Sequence, residues 1–392
     1  MLDRFGPAPD NGAHIREGMR AYLDYNATAP LRPEARTAMM RALDTLGNPS
    51  SVHAEGRAAR ALVERARTQV AALVGASPRQ VTFTSGGTEA NATVLTPAWS
   101  RNGVPLKLRH LVVSAVEHPS VLSGGRFPQD RVHQAPVDGD GVVDLAALAT
   151  VLDRLDGPAL VSVMGANNET GVIQPVAGVV ACVHPRGGIV HSDAVQVAGR
   201  VPVDIGALGV DVLTLSSHKL GGPQGAGAIV RRGGAAEFAP LVTGGGQETR
   251  VRAGTENVAA IAGFGAAAAS SIHDTAEEKR LRSLSADLER IVGNEAVIFG
   301  RGVPRLPQTV CFGLAGMSAE TAVIALDLAG VAVSSGAACS SGKVGPSHVL
   351  TAMGVGDDVS RSAIRLSLGW DSAEEHLDSF SKVWADVLER AR

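Results

Sequence analysis

Aromatic residues make up only 3% of the 392 residues, and lysine is just as sparse, with Lys107, Lys219, Lys279, Lys343 and Lys382 among 36 basic residues. Cysteine occurs three times, at widely separated Cys182, Cys311 and Cys339. That number and spacing exclude a disulfide-stapled fold and a Cys-x-x-Cys metal centre, and fit a reducing, cytoplasmic compartment. Charge of neither sign is in excess: 36 Lys and Arg face 39 Asp and Glu, for a formal charge of -3. A protein that grips nucleic acid by neutralising phosphates is therefore not expected. The longest uncharged apolar run of interest, the Ala- and Gly-rich Val258–Ile272, falls short of the roughly 20 residues that span a bilayer. It reads as a closely packed buried helix. Residues 1–20 carry Asp3, Arg4, Asp10, Arg16, Glu17 and Arg20 and no apolar stretch, so no secretory signal is expected.

What is present suits a globular enzyme. With 45% hydrophobic residues and 19% charged, and no charge blocks, the chain can bury a sizeable core. Helical spacing over 35–46 and 57–74 flanks a Gly-Asn-Pro-Ser-Ser turn at 47–51. Short β-rich runs follow at 81–84, 111–114, 160–164, 189–192, 212–216 and 226–230, with helical segments at 145–155 and 176–184 between them. This alternation predicts an α/β fold around a mostly parallel sheet. Beyond Gly254 a long helical region over 258–292 precedes β-like runs at 309–314, 331–334 and 363–368, which predict a smaller α+β unit.

Ligands of open α/β sheets bind beyond the carboxyl ends of the strands. Those positions are polar here. The first run leads into Ser85-Gly86-Gly87-Thr88-Glu89, a glycine turn opening a helix, whose N–H groups suit a phosphate. Later runs lead to Glu117-His118, to Asn167-Asn168-Glu169-Thr170-Gly171, to Asp193 with Gln196, and to Ser216-Ser217-His218-Lys219. Singly, each suits an N-cap, an Asx turn, a core histidine or a surface lysine equally well. Together they supply what pyridoxal phosphate needs: a lysine whose amine can lose its proton, a carboxylate for the ring nitrogen, an amide for the phenolic oxygen and an imidazole for the ring face.

The sequence resembles the NifS/IscS-like cysteine desulfurases of the class V aminotransferase group. The resemblance rests on Tyr22–Thr28, Gly47–His53, Thr84–Glu89, Glu117-His118, Asn167–Gly171, Ser217–Lys219, Gly244–Glu248, Arg252–Thr255 and Ser334–Ser340, in that order. It implies a fold-type I pyridoxal phosphate architecture, with a large, mostly parallel seven-stranded sheet over 28–268. Residues 1–27 plus 269–392 would form a smaller α+β domain. Lys219 would bind the cofactor covalently. Gly87, Thr88, Ser216 and His218 would hold its phosphate, and Thr255 would reach the site of a second copy in a homodimer. Asn168, Asp193 and Gln196 would hold the ring, and His118 would stack on it. Arg365 would clamp the substrate carboxylate as only a guanidinium can; without the family it reads as a strand arginine in a surface salt bridge.

Cys339 carries the reaction that the resemblance implies, taking sulfur from L-cysteine as a persulfide and leaving alanine. Its Ser/Gly-dense surroundings predict an accessible thiol in a mobile loop, whereas Cys182 and Cys311 sit in apolar runs and read as inert core residues. The sulfur would pass to an acceptor or an iron–sulfur scaffold protein, and Cys339 is the residue that could share a transient cluster there. No other metal site, and no nucleic-acid or membrane partner, is expected. Gly87 stands where relatives often have alanine, Ala166 precedes the Asn pair, and Ser192 and Val195 flank Asp193; none of these removes an assigned functional group. A selenocysteine lyase or other class V enzyme is the rival within the group, and a non-catalytic sulfur-delivery scaffold is the rival outside it. The joint presence of Lys219, Asp193, His118, Cys339 and Arg365 speaks against the scaffold.

Overall fold

Short runs of Val, Leu and Ile bounded by Gly, Asn, Asp and Ser become strands, and the computed structural model, which describes residues 20–233, 236–272, 274–336 and 346–391, gathers seven of them into one sheet. Its order is Val81–Thr84, Gly227–Arg231, Val212–Ser216, Ile189–Asp193, Ala159–Ser162, His110–Ser114 and Val132–Ala135. Gly227–Arg231 runs antiparallel to both neighbours and the remaining pairs are parallel. Alternate side chains serve opposite faces, as pleating requires. Val112, Val161, Val190, Leu213 and Ala228 join one core, and Leu111, Leu160, Ile189, Val212 and Ile229 join another with Trp99, Phe127 and Phe238.

The predicted buried helix is Val258–Ser270, packed against Pro33–Leu43 and Ala54–Leu73. Its small residues permit the approach, since a Cβ on Gly265 would lie 2.5 Å from the Ala66 Cα. No helix of the described residues is long and apolar enough to cross a membrane.

A second sheet is wholly antiparallel, in the order Val297–Ile298, Thr309–Gly313, Ile364–Ser367, Ser334–Ser335. Helices Thr275–Val292, Ala319–Leu328 and Glu374–Ala391 cover it around Phe312, Phe380, Trp384 and Leu288. The amino-terminal Ala21–Tyr22 pairs with Val331–Ala332, and Asp24 bridges to Ser367.

Three local expectations differ from the structure. The helical region over 258–292 is two helices. Ser271 turns its hydroxyl back onto Ala267 O at 2.7 Å and Leu220 O at 3.2 Å, and Asp274 caps the second helix through Ala276 N. The run at 331–334 is divided between two sheets. The edge strand Val132–Ala135 has no apolar run to announce it, because of its Val-His-Gln-Ala side chains only Ala135 is fully buried.

The segment after Gly246 is held against backbone preference. Glu248, Thr249 and Arg250 all have positive φ, at 44°, 52° and 66°, a region unfavourable for residues with a Cβ. Arg67 secures it by donating to both carboxylate oxygens of Glu248 at 2.8 Å, and Glu248 also accepts from Phe83 N at 2.9 Å. Both side chains are buried, at 9% and 2% exposure. Removing Glu248 leaves the buried Arg67 with only Glu64, whose Oε2 accepts from Nε at 3.1 Å, and breaking a buried pair costs about 3 kcal/mol. We expect Glu248→Ala to lose about that much in urea denaturation, and the double substitution Arg67→Met with Glu248→Leu to lose clearly less than Glu248→Ala alone.

Candidate active site

The carboxyl ends of the large sheet's strands open on a cavity of about 580 Å³ whose lining includes Gly87, Thr88, His118, Asn168, Asp193, Gln196, Ser216, His218, Lys219 and Arg365. These residues come from six stretches of chain far apart in sequence. Five of them meet at the rim where strands of the large sheet end, and Arg365 comes from the strand Ile364–Ser367 of the second sheet.

Lys219 lies in a single helical turn, Ser217–Lys219, directly after the strand Val212–Ser216. Its Nζ donates to Asn26 O at 2.6 Å and Ala27 O at 2.7 Å. Asn26 lies within the Tyr22–Thr28 motif, where nothing local assigns it a role, yet it ties the site together. It is 1% exposed, its Nδ2 donates to Asn168 O and Thr309 Oγ1, and its N donates to Ser367 Oγ. Arg200 donates to Asn26 Oδ1 at 2.8 Å, to Gln196 Oε1, and to the carbonyls of Tyr25 and Lys219. With its oxygen so held, the Gln196 amide presents its nitrogen, which donates to Asn26 O at 3.2 Å and keeps a second hydrogen. Burial, then the neighbouring Arg365 charge, pushes Arg200 down to about 9.

Asp193 is the last residue of its strand and accepts from Asn91 Nδ2 at 2.8 Å and Val195 N at 2.9 Å. Facing it, His118 caps a short helix, and its Nδ1 accepts from Ser120 N at 3.1 Å. An Nδ1 occupied in this way leaves the proton of the neutral imidazole on Nε2. Burial, reinforced by the Lys219 and His348 charges, lowers the His118 pKa against the pull of Asp193. His218 is pushed to about 4 by burial and by Lys219 and Arg200. Both histidines are therefore neutral near pH 7.

At the other end the helix Gly87–Val94 has no side-chain N-cap, so its first N–H groups and the positive end of its dipole serve an anion. A Cβ on Gly87 would approach Val195 Cγ2 to 3.2 Å and Ser216 Cβ to 3.4 Å. Glycine thus leaves this corner slightly roomier.

Arg365 is not in a surface salt bridge. It is 2% exposed; Nη1 donates to Asn168 O at 3.0 Å, Nη2 to Asp24 Oδ1 at 2.7 Å, and Nε is buried without a partner. Asp24, steadied by Ser334 Oγ at 2.9 Å, is a second residue that local pattern did not flag. Thr255 does not line this cavity. It is exposed and borders a separate hollow with Glu248 and Arg252. Cys339 lies outside the described residues. Cys311 is buried, with its thiol pushed up to about 12, while Cys182 is only partly buried against the large core.

The arrangement fits pyridoxal phosphate. An uncapped helix start for the phosphate, a carboxylate held ready by Asn91, a lysine between them and an orphaned guanidinium N–H for a substrate carboxylate are what that cofactor and an amino acid require.

Known proteins agree in family and architecture. Residues 21–380 match the family model described as aminotransferase class-V. A cysteine desulfurase of Cereibacter sphaeroides is 42% identical, with 95% of this chain and 97% of the relative covered. An IscS-like cysteine desulfurase of Mycobacterium tuberculosis is 39% identical over 95% of this chain and 97% of its own. The crystal structure of a NifS-like protein from Rickettsia africae superposes with a TM-score of 0.85 at 34% identity, covering 95% of this chain and all of that one.

Behind His118, Glu117 is fully buried. Its Oε1 accepts from Ser114 Oγ and Met164 N, and its Oε2 has no partner. Burial, with the nearby Asp193 charge, raises its pKa to about 8. The unfolded chain releases this proton near the ordinary carboxyl value and the folded chain does not, so between the two pKa values stability falls as pH rises, by about 1.4 kcal/mol per pH unit. We expect Glu117→Gln to unfold about 2 °C or more above the parent at pH 8, with the difference gone at pH 5, in thermal scans at both pH values.

Proposed function

Because the chain belongs to the class V aminotransferase family, we propose that it is a pyridoxal phosphate-dependent cysteine desulfurase, transferring the sulfur of L-cysteine to Cys339 and releasing L-alanine. The observation that carries this reading is the single cavity that joins Lys219, Asp193, His118 and Arg365 around an uncapped helix N-terminus.

When bound, pyridoxal phosphate supplies an aldehyde that a lysine or substrate amine can engage and a ring that accepts the electrons of a broken Cα–H bond. Lys219 anchors it. The N–H groups of Gly87 and Thr88, with Ser216 and His218, hold the phosphate. Asp193 would accept from the ring nitrogen and keep it protonated, Gln196 would give its spare N–H to the phenolic oxygen, and Asn168 would help hold the ring. His118 would meet the ring face and hold or give up a proton at Nε2; its pKa, lowered by burial, keeps it neutral between steps.

Arg365 receives the substrate carboxylate at its unpartnered Nε, and Asp24 keeps the guanidinium aligned. The Cys339 thiolate attacks the substrate sulfur and forms the S–S bond of the persulfide, the Cβ–S bond of the substrate breaks, and a proton added at Cβ completes alanine. Residues 28–268 carry the cofactor in this reading, and residues 1–27 with 269–392 carry Arg365 and Cys339. Thr255, exposed on the loop held by Glu248, completes the phosphate site of a second copy. A cytoplasmic sulfur-acceptor or iron–sulfur scaffold protein receives the sulfur.

Purified protein should show a cofactor absorption band that Lys219→Ala abolishes. Cys339→Ala should keep the band but lose alanine formation by at least about 100-fold. After incubation with L-cysteine, peptide mass spectrometry should find one added sulfur on the Cys339 peptide; persulfide only on Cys182 or Cys311 would overturn the assignment.

A further inference from the structure

Two walls of the cavity are joined by one amide. Asn91 is 1% exposed, and its Nδ2 donates to Asp193 Oδ2 at 2.8 Å and to Ser120 Oγ at 2.9 Å. Ser120 in turn lies 2.8 Å from His118 Nδ1. The amide oxygen is held from behind. Thr214 Oγ1 lies 2.6 Å from Asn91 Oδ1, and His191 Nε2 lies 3.0 Å from Thr214 Oγ1. His191 Nδ1 lies 2.8 Å from Ser162 Oγ. Ser162, His191 and Thr214 are all 0% exposed and sit on three adjacent strands.

Donor and acceptor roles are forced from one end. The ionised Asp193 can only accept, so the amide nitrogen faces it and Oδ1 faces Thr214. Thr214 must then give its one hydrogen to Oδ1 and accept from His191 Nε2–H. His191 Nδ1 is left bare and accepts from the Ser162 hydroxyl. Burial pushes His191 to about 3, so the imidazole stays neutral and keeps this single direction. Both amide hydrogens are spent at the other end, one on the carboxylate and one on the serine that donates to His118.

We propose that Asn91 is a positioning residue that fixes Asp193 and His118 as a unit, its amide oxygen held in place by the buried relay Ser162–His191–Thr214. The proposal rests on the pyridoxal phosphate reading, since it concerns the two groups that meet the ring nitrogen and the ring face. Among the described residues, the charged and titratable groups around this unit are Lys219, Arg365, His218, His348, Glu117 and Glu89, the last paired with Arg252, and none of them takes part in the relay.

The test uses the holoenzyme reconstituted with pyridoxal phosphate labelled with 15N in the ring. Thr214→Val keeps the shape but removes the hydroxyl, so the buried Asn91 Oδ1 loses its donor and the amide its rear anchor. We expect the cofactor to bind about tenfold more weakly, as for one lost buried hydrogen bond, and the ring 15N resonance to move towards the unprotonated position. Thr214→Ser should restore both. Ser162→Ala, at the far end, frees His191 to change tautomer and should move the same resonance in the same direction, which keeps the proposal testable even where Thr214→Val folds poorly. Unchanged affinity and resonance in Thr214→Val, or in Ser162→Ala, would overturn the relay. A parent protein that binds no pyridoxal phosphate would overturn the underlying reading and the relay with it, and is told apart because it appears before any substitution.

Discussion

Asn26 is the point on which the arrangement depends. The amino-terminal strand pairs with the second sheet, and the chain then crosses to the large sheet's rim, placing Asn26 between the two. There one residue donates to Asn168 O, Thr309 Oγ1 and Ser367 Oγ and accepts from Lys219 and Arg200. Burying so many polar groups is tolerable only because each finds a partner, and an unmade bond here leaves about 1–3 kcal/mol of desolvation uncompensated. The lysine is thus positioned by carbonyl oxygens from the chain's beginning, about 190 residues away in sequence.

The charges around the cavity follow from the same economy of partners. Arg200 is surrounded by carbonyl and amide oxygens, and among the described residues no carboxylate pairs with it. It therefore contributes an unneutralised positive charge beside Lys219 and His218, and the lowered His218 pKa records it. Arg365 by contrast has Asp24, which neutralises part of its charge and leaves direction, rather than raw attraction, as its main asset.

Much of this was legible in the chain. Strand cores could be read because parallel strands covered on both faces are unbroken apolar runs, and the residues after them stood out as polar where the interior should continue. Lys219, Asp193, His118 and Gln196 were visible for that reason. Asn26, Asn91, Asp24 and Arg200 were not, because their work is done by hydrogen bonds across large sequence separations, 341 residues for Arg365 and Asp24. No local period encodes such contacts. The helix break after Ser271 was masked for a different reason: helical spacing resumes at once, and only the side-chain bonds of Ser271 and Asp274 show that the backbone has let go.

The antiparallel strand Gly227–Arg231 brings one further consequence. Gly227 pairs with Thr84 on one side and Ser216 on the other, the residues from which the proposed phosphate loop and the Ser217–Lys219 turn depart. A Cβ on Gly227 would fall 2.5 Å from the Gly86 carbonyl carbon, so the two departures are clamped backbone to backbone across a single rung. The spacing between the backbone of the Ser217–Lys219 turn and the anion-holding end is thereby a property of the ladder. A ligand that reaches from one to the other is met by a rigid backbone rung, and only the swing of the Lys219 side chain adjusts the span.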